Sequence, residues 1–150
     1  MNSILVAYAT MTGNTSTVAE AMVQHLVSKP AKALVKLIDL AELTPADLLN
    51  YDLIILGSST WDDGDVNQVA KEFLGRLQAD KLDISKLKFA IFGLGDSFYP
   101  NFCKAPDVLQ TCIADLGGQV VGELLRLDGF PDEKALQATK EWVDSVLELS

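Results

Sequence analysis

The strongest constraint on this chain is an alternation. Five apolar runs are each followed by apolar residues at helical spacing. Ile4-Leu5-Val6-Ala7-Tyr8-Ala9 reads as a strand, and Val18, Ala19, Met22, Val23, Leu26 and Val27 follow on one helical face, ended by Ser28-Lys29-Pro30. Leu34 to Ile38 is a second strand, whose central Lys36 predicts a sheet edge. Pro45 to Leu49 suggests a short helix. Leu53-Ile54-Ile55-Leu56-Gly57 and Phe89-Ala90-Ile91-Phe92-Gly93 are apolar on both faces. Such strands must be covered on both sides, as in a parallel sheet. Val66, Val69, Ala70, Phe73, Leu74 and Leu77 form one further helical stripe. Val108, Leu109, Cys112, Ile113 and Leu116 form another, with Gly117-Gly118 as its stop. Val120 to Leu127 supplies the last strand, with a break expected at Gly122, and Leu136, Trp142, Val143, Val146 and Leu147 close the chain as a helix. The expectation is one α/β domain over residues 1–150, a doubly wound parallel sheet of five strands with helices on both faces.

Ligands of such sheets lie beyond the carboxyl ends of the strands, so the loops there hold the candidate site. After the first strand comes Thr10-Met11-Thr12-Gly13-Asn14-Thr15. It leads into a helix N-terminus, where unpaired N–H groups and the helix dipole favour an anion. The loop has no Lys or Arg, no Gly-Lys-Ser/Thr ending and no Gly-x-Gly-x-x-Gly. A phosphate monoester held by neutral donors suits it. Thr and Asn are also ordinary helix caps, but four short donors in six positions exceed what a cap needs. The third strand runs into Ser58-Ser59-Thr60-Trp61-Asp62-Asp63-Gly64-Asp65, and the fourth into Leu94-Gly95-Asp96-Ser97-Phe98-Tyr99-Pro100-Asn101-Phe102-Cys103. Aromatics in polar loops can seal a core end. Beside a phosphate site they can instead sandwich a flat ring, at about 1 kcal/mol each beyond their burial.

Charge narrows the function. With 21 acidic and 12 basic side chains, the formal net charge of -9 disfavours nucleic acid and anionic membranes. Two cysteines and one histidine make no zinc signature, and no metal is expected. With no export signal and no apolar run long enough to span a bilayer, a cytoplasmic location is expected. His25 reads as a solvated surface residue, Cys103 as a packing residue, and Cys112 and Trp142 as core.

Three motifs together resemble the flavodoxin family, over nearly the whole chain and in order. Thr10–Thr15 is similar to its phosphate loop, Ser59-Thr60-Trp61-Asp62-Asp63-Gly64-Asp65 to its tryptophan loop, and Gly95-Asp96-Ser97-Phe98-Tyr99-Pro100-Asn101-Phe102-Cys103 to its tyrosine loop. The length resembles the short-chain branch. The resemblance implies the strand order 2-1-3-4-5 and an FMN cofactor. Thr10, Met11, Thr12, Gly13, Asn14 and Thr15, with Ser59, would hold its phosphate. Thr60 and Asp96 would lie near the ribityl chain, with Trp61 on the inner and Tyr99 on the outer face of the ring. Backbone groups of Asp96, Asn101 and Cys103 would meet its pyrimidine edge. Ser58, Asp62, Gly93, Leu94, Gly95 and Phe102 complete the expected cofactor shell. Many relatives carry glycine directly after the tryptophan, where this chain has Asp62. A non-glycine residue resists positive φ, which implies a costlier family peptide flip and a less stabilised half-reduced flavin.

The implied function is a low-potential one-electron carrier without catalytic residues. Asp62, Asp63, Asp65 and Asp96 cluster in the ring loops, and no Lys or Arg occurs from Tyr51 to Ala70 or from Phe89 to Phe102. A carboxylate about 8 Å from an anionic flavin, at an effective dielectric of about 40, opposes it by about 1 kcal/mol. The implied partners are basic-faced redox proteins, a flavodoxin reductase and acceptor enzymes, met by a monomer. The alternative is an FMN-dependent quinone or nitro reductase on the same fold. A phospho-acceptor receiver domain is disfavoured, because the first strand ends in Ala9-Thr10 and the third in Gly57-Ser58, without the acids it requires.

Overall fold

A computed structural model describes residues 3–10, 13–30, 33–60, 67–95 and 103–150. In chain order the elements are β1 (Ser3–Ala9), α1 (Asn14–Val27), β2 (Leu34–Asp39), two 3₁₀ turns (Leu40–Glu42 and Pro45–Asn50), β3 (Leu53–Ser59), α2 (Gln68–Asp80), β4 (Lys88–Gly95), α3 (Ala105–Asp115), β5 (Gln119–Val120), β6 (Leu125–Asp128) and α4 (Glu133–Leu149). The sheet is parallel, in the order β2-β1-β3-β4-β5, and β6 also pairs with β4. The expected strand order, the parallel pairing and the edge position of β2 are all present.

Alternation of side chains along each strand builds two cores. Leu5, Ala7, Ile54, Leu56, Phe89 and Ile91 face α2 and α3, meeting Phe73, Leu74, Leu77, Leu109 and Ile113. Ile4, Val6, Leu53, Ile55, Ala90 and Phe92 face α1 and α4, meeting Val18, Met22, Leu26, Trp142, Val143 and Val146. This is why β3 and β4 need apolar residues at successive positions. Trp142 is core as expected. Its ring meets Phe92 edge-on with centroids 6.3 Å apart, and its Nε1–H donates to Glu123 O at 2.7 Å.

The last strand breaks where expected: β5 pairs with Lys88 and Phe89 at the start of β4, and β6 with Phe92 to Gly95 at its end. Between them the backbone leaves the sheet near Gly122, whose φ is +74°. The short helix expected at Pro45 is present as a 3₁₀ turn over Pro45–Asn50. Helix α2 begins at Gln68, after an Asn67 cap; Val66, the first residue of the predicted stripe, lies outside the described residues. Val27 is 63% exposed at the end of α1 and is not core, and Cys112 is only half-buried. His25 is not a free surface residue. Its Nε2 lies 2.8 Å from Asp144 Oδ1 on α4, which also pairs with Lys29 at 2.6 Å.

Candidate functional site

The parallel register sets the carboxyl ends of four strands side by side. Ala9 stands opposite Ser58, Ser58 opposite Gly93, Gly93 opposite Arg126, and Gly95 opposite Asp128. The loops leaving β1, β3 and β4 therefore start from one edge of the sheet, as the sequence suggested.

The first loop closes on itself before α1. Thr10 Oγ1 accepts Gly13 N–H at 3.0 Å. Gly13 occupies the N-cap position with φ +90° and ψ -7°, a left-handed conformation that disfavours any side chain. Lacking a side chain, it cannot cap the helix in the usual way. The N–H groups of Asn14, Thr15 and Ser16 open the helix without a side-chain cap from it, and the first turn contains no acidic residue. Gly13 O is well anchored instead: it accepts Ser16 Oγ at 2.8 Å, Thr17 Oγ1 at 3.0 Å and Thr17 N at 3.0 Å. Sequence reasoning missed Ser16 and Thr17. Their signal was a hydroxyl three and four residues after the glycine. Thr15 is buried beneath the turn.

At the end of β3, Ser58 is fully buried and its hydroxyl is engaged within the protein. It donates to Ser59 O at 2.8 Å and accepts Asn67 N–H at 3.0 Å. Asn67 also donates from its Nδ2 to Ser59 Oγ at 3.2 Å and accepts Val69 N–H at 2.8 Å, capping α2. It is 3% exposed. Asn67 thus ties the return of the tryptophan loop to its departure, another residue not foreseen from the sequence. An Asn just before a helical stripe was the available signal.

The tyrosine loop returns beside β4. Thr60 N–H donates to Leu94 O at 2.8 Å, and Thr60 Oγ1 accepts Ala105 N–H at 3.1 Å, joining the second loop to the start of α3. Leu94 is nearly buried. Gly95 is needed for close approach: a Cβ there would lie 2.6 Å from Cys103 N and 2.8 Å from Cys103 Cα. Cys103 itself has φ +48° and is fully buried. Its thiol donates to Gly93 O at 3.2 Å, and burial pushes its pKa up to about 11. Cys103 O accepts Arg126 Nη1 at 2.8 Å. Arg126 also grips Asp107 with both terminal nitrogens, at 2.6 and 2.8 Å. That pairing holds the Asp107 carboxyl below its ordinary range.

The structure therefore brings together Thr10, Gly13, Asn14, Thr15, Ser58, Ser59, Thr60, Gly93, Leu94, Gly95 and Cys103 at one sheet edge. Met11, Thr12, Trp61, Asp62, Asp96, Tyr99, Asn101 and Phe102, and the acids Asp63 and Asp65, lie outside the described residues. Among the described residues no group of His, Cys, Asp and Glu could hold a metal ion, and no helix is long and apolar enough to cross a membrane.

Comparison with known proteins gives a consistent likeness. The family profile described as flavodoxin matches residues 6–142. The chain is 32% identical over 134 residues to a flavodoxin of Maridesulfovibrio salexigens, covering 88% of this chain and 90% of that one. It is 35% identical over 134 residues to probable flavodoxin 2 of Bacillus subtilis, covering 88% and 85%. The crystal structure of oxidised flavodoxin 1 from Bacillus cereus superposes with a TM-score of 0.89 at 28% identity, over 99% of this chain and 100% of that one.

Proposed function

Because the chain belongs to the flavodoxin family, and is thereby an FMN-binding electron carrier rather than an enzyme, we propose that the start of α1 takes the FMN phosphate while the loops leaving β3 and β4 flank the flavin. The observation that carries this reading is the helix start itself. Gly13, at φ +90°, opens α1 without a side-chain cap, next to the ends of β3 and β4. The donor chemistry fits a phosphate monoester: backbone N–H groups and Thr and Asn side chains, a helix dipole, and no acid in the first turn.

Bound FMN supplies a flavin that accepts and releases electrons one at a time. The residues of the chain hold and tune it. Thr10, Met11, Thr12, Asn14, Thr15 and Ser59 would surround the phosphate, and Thr60 and Asp96 the ribityl chain. Trp61 and Tyr99 would clasp the ring, with backbone groups of Asp96, Asn101 and Cys103 at its pyrimidine edge. Ser58 would act through Asn67, since its hydroxyl is already engaged. Asp62, Asp63, Asp65 and Asp96 would oppose added negative charge and lower the potential. Redox partners follow from the carrier role. The net charge of -9 supports basic faces on them, and the carrier would meet them as a monomer.

The test is spectroscopic. Purified protein titrated with FMN should show flavin absorbance bands, quench flavin fluorescence at one equivalent, and oxidise no NADPH without a separate reductase. A colourless protein that takes up no FMN would refute the site. Electron transfer to a basic redox protein should slow as salt rises; a rate indifferent to ionic strength would refute the docking charge.

A further inference from the structure

Three features converge on the backbone of Cys103, none of them required by its side chain. Its φ of +48° is unusual for a residue with a Cβ and costs on the order of 1 kcal/mol or more. Its N and Cα press into the space left by Gly95. Its carbonyl takes a charge-assisted hydrogen bond from Arg126 at 2.8 Å. Arg126 is a guanidinium on β6, aimed by a two-toothed pairing with Asp107 on α3 at 2.6 and 2.8 Å. Two residues on, Ala105 N–H binds Thr60 Oγ1 of the neighbouring loop. The Arg126–Asp107 fork therefore joins β6 and α3 to the point where the chain returns against β4.

We infer that Arg126, aimed by Asp107, is a positioning residue for the flavin site: it holds Cys103 in its strained conformation across Gly95 and so sets where backbone groups can meet the flavin edge. This rests on the proposed placement of the flavin beside the loop leaving β4. The guanidinium suits the task because it can serve a carboxylate and a carbonyl at once in fixed geometry. A lysine ammonium, a point charge on a flexible stem, cannot reproduce the fork.

The experiment compares full-length wild type, R126Q, R126K and D107N. It measures dissociation constants for FMN and riboflavin by fluorescence quenching, midpoint potentials of the bound flavin, and apoprotein melting. At a temperature well below the apoprotein melt, global stability does not enter the dissociation constant. R126Q should bind FMN and riboflavin each on the order of tenfold more weakly, because the phosphate loop is untouched, and its flavin potentials should move toward those of free FMN. R126K and D107N should fall between R126Q and wild type. R126Q that keeps wild-type dissociation constants and potentials overturns the inference, whatever its melting temperature. So does R126K with wild-type dissociation constants and potentials, since a lysine cannot reproduce the fork. Should R126Q fail to fold, D107N with wild-type affinity and potentials overturns it. A wild type that fails to bind FMN refutes the underlying site instead.

Discussion

Adding one methyl group at Gly95 isolates the close approach on which the β4 side of the site depends. In Gly95→Ala the new Cβ would stand 2.6 Å from Cys103 N, 2.8 Å from its Cα and 3.1 Å from its Cβ. Ordinary contact distances are about 3.5–4.0 Å, so the two backbones must part by close to 1 Å. Cys103 has little room to yield. It is fully buried, its thiol is bound to Gly93 O at 3.2 Å, and its carbonyl is bound to Arg126 at 2.8 Å. Overpacking of this kind costs about 1–3 kcal/mol. For a domain of this size that corresponds to a fall in melting temperature of about 2–12 °C. Any part of the strain relieved by displacing the returning loop should appear as weaker flavin binding, expected at tenfold or more. The assay is apoprotein melting by circular dichroism together with FMN titration. Gly75→Ala serves as control, since a Cβ there meets nothing within 4 Å. A Gly95→Ala protein with an unchanged melt and an FMN dissociation constant within twofold of wild type would refute the claim that this contact shapes the site.

Three further outcomes are expected. Gly75→Ala, on the exposed face of α2, should raise stability by up to about 1 kcal/mol, because alanine is the better helix former there; a lower melting temperature would count against the open space at that position. Cys103, with a pKa of about 11 caused chiefly by burial, should resist iodoacetamide at pH 8 in the native apoprotein, while half-buried Cys112 is modified first; equal labelling in peptide mass spectrometry would contradict the packing around Cys103. The Asp107 carboxyl is held below its ordinary range by Arg126, so its contribution is present above the unfolded value of about 4 and is lost as pH falls through the lower folded value. The pair is partly exposed and worth about 1 kcal/mol or less, so denaturant melts of wild type and Asp107→Asn should differ at pH 7 and converge as pH falls through that lowered value. A difference independent of pH would exclude the charge as its source.

Much of the fold was legible because a parallel strand covered on both sides must be apolar at successive positions, a pattern carried by β1, β3 and β4. Polar residues and glycines directly after such strands also marked the carboxyl edge, where unpaired N–H groups collect. That is why Thr10 and Gly13 could be named from residue type and place, whereas the roles of Ser59 and Thr60 came from the family resemblance. The break between β5 and β6 was only half-visible in Gly122, since pairing with β4 decides which residues rejoin the sheet.

Other features arise only when distant segments are set in register. Nothing in the sequence singles out Arg126; pairing opposite Gly93 brings it to Cys103, 23 residues away in sequence. His25 read as solvated until the packing of α1 on α4 placed it against Asp144, 119 residues away. Periodicity records how much surface each element must hide, which settles element type and sheet class. It carries no record of which polar groups meet across elements, because a directional hydrogen bond of about 2.8 Å exists only once strand register and helix packing have fixed both of its ends.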